Sequence, residues 1–393
     1  MKNIWDELPK PYFVLAPMDD VTDTVFRRMV ADCAAPDLFF TEFVNVDGLQ
    51  SPGRQRLLNR LQFTARETPL IAQIWGKTPE NYYQTAKELA DGTFAYEIYQ
   101  SIKEKNPELA KVLYGDARQG DGEQRTEPYQ AYGEGVEESA TQSSASSNSS
   151  STHLISEDGI TLQNFAGIDL NFGCPDKAVV KNGCCVALVN DRSLAKEIIQ
   201  ATKEGASGRL PVSVKTRLGF NEVDYTWPEF LLQQDIAALT MHGRTRKQMS
   251  KVPADWEAIR RVRELRDELH LDTPIIGNGD VMSYQQGIEL ASQHQLDGIM
   301  IGRGIFHDPY VFAKDSPWQK WSAQKKLELY RKHIELFNQT WGDKGRHVRV
   351  LNKFCKVYIN DFANAKAIRD QLMRAQSISE LQEGIKQARS LLS

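Results

Sequence analysis

Residues 167–175 read Gly-Ile-Asp-Leu-Asn-Phe-Gly-Cys-Pro, an alternating apolar stretch that ends in an amide, a turn and a thiol. Gly173 and Pro175 bracket Cys174 and impose a sharp turn, which lifts the thiol to the rim of a sheet. Local pattern alone leaves two readings open, a small buried hydrophobe or a group held out for chemistry. Other polar residues stand in the same relation to short apolar runs. Pro17, Met18 and Asp19 follow one run, Glu42 and Asn45 belong to a second, and Gln73 lies in a third. Asn171 precedes the thiol in a fourth. Lys215 with Arg217, His242 with Arg244, Asn278-Gly279-Asp280 and Gly302-Arg303-Gly304 close four more. Singly, each has a structural use: an amide satisfying a loop, a lysine paired with a carboxylate, a histidine held in a core. At the ends of eight successive runs they read as the lining of one site. The glycines after the last two runs suit a phosphate bound on backbone N–H groups, with Arg303 as counter-charge. Neither G-x-G-x-x-G after a strand nor G-x-x-x-x-G-K-[ST] occurs, which disfavours Rossmann and P-loop sites.

The elements that must position these residues alternate along the chain. Strands are expected at Tyr12–Ala16, Leu38–Phe43, Leu70–Trp75, Ala166–Asn171, Val212–Thr216, Ala237–His242, Pro274–Gly277 and Gly298–Ile301. Helices are expected at Thr22–Cys33, Pro79–Ala90, Ser193–Glu204, Ala254–Glu268 and Ser283–Gln293, with Thr78-Pro79 and Asp191 marking two starts. Eight alternations imply an α/β fold, a (β/α)8 TIM barrel, for which the 393 residues leave room beyond the roughly 250 needed. One connection is far too long. Between Asp91-Gly92 and Phe165 the chain offers a helix over Phe94 to Tyr114, then a polar, Ser-rich tract at 141–152 that is expected to be disordered. As a helix-to-strand connection, this insertion (about 93–163) is expected at the face opposite the site. After residue 314 the strand pattern stops. Helices at about 320–341, 346–359, 363–374 and 377–391 make residues 315–393 a separate α-helical domain beside the barrel domain, 1–314.

Charge is unevenly distributed around the formal net of −4. Residues 95–160 hold 12 Asp and Glu against 5 Lys and Arg, whereas 314–356 hold 11 Lys and Arg against 4 Asp and Glu. The second stretch, with Lys325, Lys326, Arg331, Lys332, Arg346, Arg349, Lys353 and Lys356, reads either as a footprint for phosphates or as a solvated helix face. The five cysteines are odd in number and lack C-x-x-C pairs, so neither a disulfide framework nor a metal site is expected. No apolar run reaches the roughly 18 residues of a membrane span, and the first residues lack a signal-peptide core. A cytoplasmic, monomeric protein is expected.

Six motifs in order carry a family resemblance. Ala-Pro-Met-Asp-Asp-Val-Thr-Asp-Thr-Val-Phe-Arg (16–27), Leu-Asn-Phe-Gly-Cys-Pro (170–175), Lys-Thr-Arg-Leu-Gly (215–219), His-Gly-Arg-Thr (242–245), Asn-Gly-Asp (278–280) and Gly-Arg-Gly (302–304), together with Gln73, resemble the tRNA-dihydrouridine synthases. The likeness runs from about residue 11 to 310 apart from the insertion, and the helical tail is similar to that family's RNA-binding domain. It implies an FMN-containing barrel that uses NADPH to reduce a uracil ring in tRNA at C5–C6. Pro17, Met18 and Asp19 would then contact the flavin, Gln73 its pyrimidine edge, Lys215 its N1–C2 side, and His242 the flavin as well. Asn278, Gly279, Asp280, Gly302 and Arg303 would cradle its phosphate, and Cys174 would be the proton donor.

Chemistry makes sense of that thiol. Hydride addition at uracil C6 leaves negative charge at C5 and O4, and a thiol of ordinary pKa about 8.5 is largely protonated at neutral pH, ready to protonate C5. Lys215 and Arg217 would stabilise developing charge, Asn171 and Arg244 would contact the substrate, and the target base must be flipped out of folded RNA. The basic tail would hold the tRNA backbone. Two features depart from the family pattern: Gly183-Cys184-Cys185 stands where small residues are usual, and the acidic insertion is extra. Either extra thiol is placed to compete with Cys174 in principle, buried packing being the simpler reading. With no dinucleotide fingerprint, NADPH and NADH are both open. The alternative is an FMN barrel reductase acting on a small pyrimidine or enone, which leaves the basic tail without a purpose.

Overall fold

Eight short parallel strands pair in the order in which they occur and close on themselves. The computed structural model describes residues 3–114, 154–155, 161–342, 345–360 and 362–392. Its barrel consists of β1 (Tyr12–Leu15), β2 (Phe39–Phe40), β3 (Leu70–Trp75), β4 (Gly167–Phe172), β5 (Val212–Arg217), β6 (Leu239–His242), β7 (Ile275–Asn278) and β8 (Gly298–Ile301). β8 pairs with β1, and a Val14–Leu38 bridge ties β1 to the start of β2, closing the ring. This is the expected (β/α)8 barrel. Alternation along the strands sorts their residues. Tyr12, Val14, Phe40, Ile71, Ile276 and Met300 fill the interior, while Phe13, Leu15, Phe39, Leu70 and Ile299 pack outward on the helices. Trp5, from the helix Ile4–Glu7, is fully buried against Tyr12 and Phe40 and plugs the N-terminal end of the barrel. The polar strand-end residues lie at the other end.

Departures from the expected elements have local causes. The second strand is interrupted after Phe40 and resumes as Val44–Asn45, because the Thr41 hydroxyl accepts the Gln73 N–H at 3.0 Å in place of a backbone carbonyl. The helix expected over Phe94 to Tyr114 is two, Thr93–Lys105 and Pro107–Tyr114, since Pro107 has no N–H to continue the first. Tyr99 and Tyr114 meet edge to face and fold the second helix back on the first. A short helix, Thr226–Leu232, lies between β5 and β6 where none was expected. The Ser-rich tract at 141–152 lies outside the described residues, as does the disorder expected of it.

The C-terminal helices are Ala323–Trp341, Arg349–Asn352, Cys355–Tyr358, Ala365–Leu372 and Ile378–Leu392, so the helix expected over 346–359 is broken into two short ones. They dock on the barrel through the helix Thr24–Ala34. Phe354 stacks on Phe26 at 4.9 Å, and Arg28 donates to the Thr340 hydroxyl at 2.6 Å. Among the described residues, no helix is long and apolar enough to cross a membrane.

Candidate active site

Strand register sets the inward polar residues in rows at the C-terminal end of the barrel. Gln73, Asp169 and Ser213 stand side by side, then Asn171, Lys215 and Thr240, then Arg217, His242 and Asn278. In the deepest row, fully buried Asp169 accepts from Gln73 Nε2 and from Ser213 Oγ, both at 2.7 Å. Burial pushes its carboxyl up to about 6, against the pull of those two bonds and of Lys215. Because Asp169 takes the amide nitrogen, the oxygen Oε1 of Gln73 is left buried with no partner. Asp169 is a site residue the sequence reading passed over. Its signal was a carboxylate at an inward position of an otherwise apolar strand.

The next row holds the thiol. Asn171 Oδ1 accepts the N–H groups of Gly173 (3.1 Å) and Cys174 (3.0 Å), so the amide shapes the turn, and what it can offer a ligand is its NH2 group. Arg217 holds the same turn from the side, donating from Nε to the Gly173 carbonyl at 2.8 Å. Cys174 is half-buried, and the thiol of Cys185, 1% exposed, hydrogen-bonds to it. That bond, with smaller help from Arg217, outweighs burial and pulls Cys174 down to about 7, whereas burial pushes Cys185 well above its ordinary value. The thiol therefore departs from the unperturbed acid expected: thiol and thiolate are comparable at neutral pH. Burial, then the neighbouring Arg217, lowers Lys215 to about 8, and burial lowers Arg217 to about 10.

His242 is held neutral. Burial, then Arg217, Lys215, Arg244 and Arg303, push its pKa far below the usual range. Arg244 Nη1 lies 3.5 Å from Nε2, and a guanidinium only donates, so the ring proton belongs on Nδ1, which is buried and without a partner. Arg244 itself is 2% exposed, with Nε on the Val252 carbonyl at 2.6 Å and Nη2 on Asp280. It lies against His242, with its remaining nitrogens engaged within the protein.

Strands β7 and β8 end in backbone instead of side chains. Gly279 has φ 139°, and a Cβ there would lie 2.5 Å from that of Ala254. Gly302 faces β1, where a Cβ would come within 3.5 Å of Ala16 and 3.9 Å of the Met18 sulfur. Asn278 Nδ2 is tied to the Met300 carbonyl at 2.8 Å. Asp280 accepts from Arg303 (2.9 Å), Arg244 and the Ala254 N–H, so its oxygens are taken by donors of the protein and it positions Arg303. The turn from Pro17 through Met18 is fixed by the Met18 N–H on the Thr22 hydroxyl at 2.9 Å. Asp19 turns aside to Arg60, a residue the sequence reading missed. Asp19, Asp20 and Glu42 form a carboxylate cluster, with Arg60 and Arg346 lying on it as counter-charges.

The family model and the curated relatives agree on one relationship. The family described as dihydrouridine synthase matches residues 14–98 and 158–391. A probable tRNA-dihydrouridine synthase from Staphylococcus aureus (strain COL) is 38% identical over 96% of this chain and 93% of its own length. A probable tRNA-dihydrouridine synthase 2 from Bacillus subtilis (strain 168) is 37% identical over 97% and 94%. Among solved structures, a variant of NCR from Zymomonas mobilis aligns at a TM-score of 0.39 and 14% identity, covering 79% of this chain and 89% of that one. A morphinone reductase mutant aligns at 0.38 and 10%, covering 79% and 89%.

Proposed function

The chain belongs to the dihydrouridine synthase family, and from that premise we propose that it reduces the C5–C6 double bond of uridine in tRNA, using FMN as cofactor and NADPH or NADH as reductant. The observation that carries this reading is a pair of complementary orphans at one barrel mouth: Gln73 Oε1, an acceptor, and His242 Nδ1–H, a donor, both buried and unpartnered beside a reactive thiol. Leaving such an atom unpaired costs about 1–3 kcal/mol, which a bound ligand with the matching pattern relieves. The pyrimidine edge of a flavin offers a single donor, N3–H, between two carbonyls, which suits Gln73 Oε1. Lys215 would serve the N1–C2 side, and His242 would donate to a flavin acceptor. The Gly279 and Gly302 backbone with Arg303 would hold the phosphate, and Pro17 and Met18 would border the ring beside Gly302. When bound, FMN would take two electrons from the nicotinamide and supply hydride to uracil C6.

The remaining steps fall to side chains. Asn171 NH2 would donate to a uracil carbonyl, orienting C5 towards the rim where Cys174 sits. Cys174 would deliver its proton to C5, and Arg217, 2.8 Å from the Gly173 carbonyl, keeps that turn in place while this occurs. The target base must leave its stack to reach the barrel mouth. Residues 315–393 would act as the tRNA-holding domain on the barrel of residues 1–314, through the basic groups that stay exposed.

Incubating the purified protein with NADPH and tRNA tests the reading. A yellow protein and a gain of two mass units in uridine-containing fragments are expected. Cys174→Ala should keep its flavin absorbance and lose about 10²–10⁴-fold in rate, the usual contribution of a general acid. Full activity in that variant would remove the proton-donor role. Turnover of free uracil or an enone with tRNA left unmodified would favour the small-molecule reductase instead.

A further inference from the structure

The mouth of the barrel is bordered by apolar groups that the proposed chemistry leaves without a use. Seven large apolar or aromatic side chains are exposed among the described residues. Five of them, Val223, Tyr225, Met249, Val252 and Met282, lie on the loops that follow β5, β6 and β7, at the same end of the barrel as Cys174. Scattered singly, exposed apolar groups need no explanation; gathered on adjacent loops beside a site, they mark a surface that meets a partner. We propose that these loops are a second holding surface for the RNA: nucleotides flanking the flipped uridine rest their bases on the apolar groups, and Lys247 and Lys251 meet the phosphates. The surface has this use only if the substrate is tRNA, as proposed above.

The loops form one braced surface that is continuous with the site. The Arg246 and Lys247 N–H groups donate to the Gly219 and Phe220 carbonyls, both at 2.9 Å, and the Leu218 N–H donates to the Arg244 carbonyl at 3.2 Å, which stitches the β5 loop to the β6 loop. The Arg246 guanidinium lies over the Phe220 ring at 5.3 Å. Arg217, whose Nε holds the Gly173 carbonyl beside Cys174, also donates from Nη1 to the Thr245 and Met249 carbonyls at 3.3 Å. One side chain therefore spans from the turn of the thiol to the loop that carries Met249. Charge favours a polyanion. Lys247 and Lys251 are exposed, and among the described residues neither side chain has an ion pair or a hydrogen bond. Of the carboxylates in the two loops, Asp224 is taken by Arg192 and Thr226 and Asp255 caps the helix Trp256–Glu268, which leaves Glu222 alone against the lysines. The tail docks through the helix Thr24–Ala34, between β1 and β2, and ring order puts β5 and β6 across the barrel from those strands. RNA gripped on both sides would cross the mouth with the target uridine above the thiol. Bases beside a flipped nucleotide lose a stacking neighbour, and an aromatic ring or a thioether at the rim replaces it whatever the base.

Brief oxidation of the holoenzyme with hydrogen peroxide, with and without saturating tRNA, reads the surface through its methionine peptides by mass analysis. Met249 and Met282 should form sulfoxide readily in the free protein and about fivefold or more slowly under tRNA. The double variants Tyr225→Ser/Met249→Ser and Lys247→Ala/Lys251→Ala should each raise the KM for tRNA about tenfold or more, with flavin absorbance and flavin reduction by NADPH as in the wild type. Two separate pairs keep the outcome readable if one folds poorly. Tyr96→Ser removes an exposed ring from the helix Thr93–Lys105, away from the mouth, and should leave that KM unchanged. Methionines oxidised equally fast under tRNA, or a wild-type KM in both double variants, overturn the proposal. So does a dimer in sedimentation that Tyr225→Ser/Met249→Ser dissolves, because a second copy of the chain then covers the loops. Wild-type protein that neither binds nor reduces tRNA overturns the function itself, and the surface with it.

Discussion

A proton donor at C5 must be protonated when hydride arrives, and Cys174, drawn to about 7, loses that form just above neutrality. The rate of single-turnover uridine reduction should therefore fall about tenfold per pH unit above 7. The first cause of the lowered value is the Cys185 hydrogen bond, and burial opposes it. Removing the bond in Cys185→Ala leaves burial to act, so the alkaline limb should move to higher pH. Profiles that coincide in wild type and variant would show that Cys185 does not tune the donor. The thiol itself was legible in the sequence, because Gly173 and Pro175 around it announce a turn after a strand. Its partner was not: Cys185 meets Cys174 only because the helix Lys177–Lys181 and the turn at Gly183 fold it back, a tertiary contact with no local pattern. Asp169 was hidden for a related reason. Its role is to fix the Gln73 amide, and only strand register puts the two side by side.

Among the elements, those with strong two-residue alternation or clear caps lay where the sequence puts them, and the exceptions were decided by partners elsewhere. β3 spans Leu70–Trp75 as expected, and the helix after it begins at Pro79, where proline needs no N–H. β2 was misjudged because a Thr41 side chain substitutes for its backbone, which no periodicity reveals. The ends of β7 and β8 carry the glycines on which the sequence reading placed a backbone site, and there the geometry makes a demand. Gly279 holds φ 139° with Ala254 pressed against it, so Gly279→Ala adds both a disfavoured conformation and a contact at 2.5 Å. The variant should lose about 1–3 kcal/mol of stability and bind FMN at least tenfold more weakly, measured by thermal unfolding and flavin titration. Unchanged FMN affinity would move the phosphate site away from the β7 turn.

At the scale of the whole molecule, much of the basic stretch seen in the sequence is engaged within the protein, which composition could not show. Arg346 donates to Asp23 at 3.3 Å and to fully buried Glu42, while Lys353 reaches the Asp20 carbonyl. Lys326 lies over the Trp318 ring at 4.8 Å, and Arg331 pairs with Glu328 and Glu335. Arg346 and Lys353 tie the tail to the rim of the barrel, and Arg331 is spent on pairs within its own helix, so fewer cations remain unpaired than the count over 314–356 implies. Asp23 also caps the helix Thr24–Ala34 through the Phe26 N–H at 2.9 Å and accepts Trp341 Nε1 at 3.2 Å. One carboxylate thereby joins the turn that would border the proposed flavin site to the tail that would hold tRNA. Arg346→Met removes a cation shared by two carboxylates and leaves Glu42 with Arg60 at 3.5 Å. Burial already raises the Glu42 carboxyl, so it can relieve itself by taking a proton, which keeps the loss of stability below the 3–5 kcal/mol of a broken buried pair. Orientation of the tail should suffer more than folding. KM for tRNA should rise at least tenfold, about 1.4 kcal/mol, while reduction of the bound flavin by NADPH, which needs only the barrel, stays as in the wild type. Stopped-flow flavin reduction and steady-state tRNA turnover measure the two halves separately. A tRNA KM unaffected by the substitution would mean that the helical tail does not set how the RNA meets the thiol.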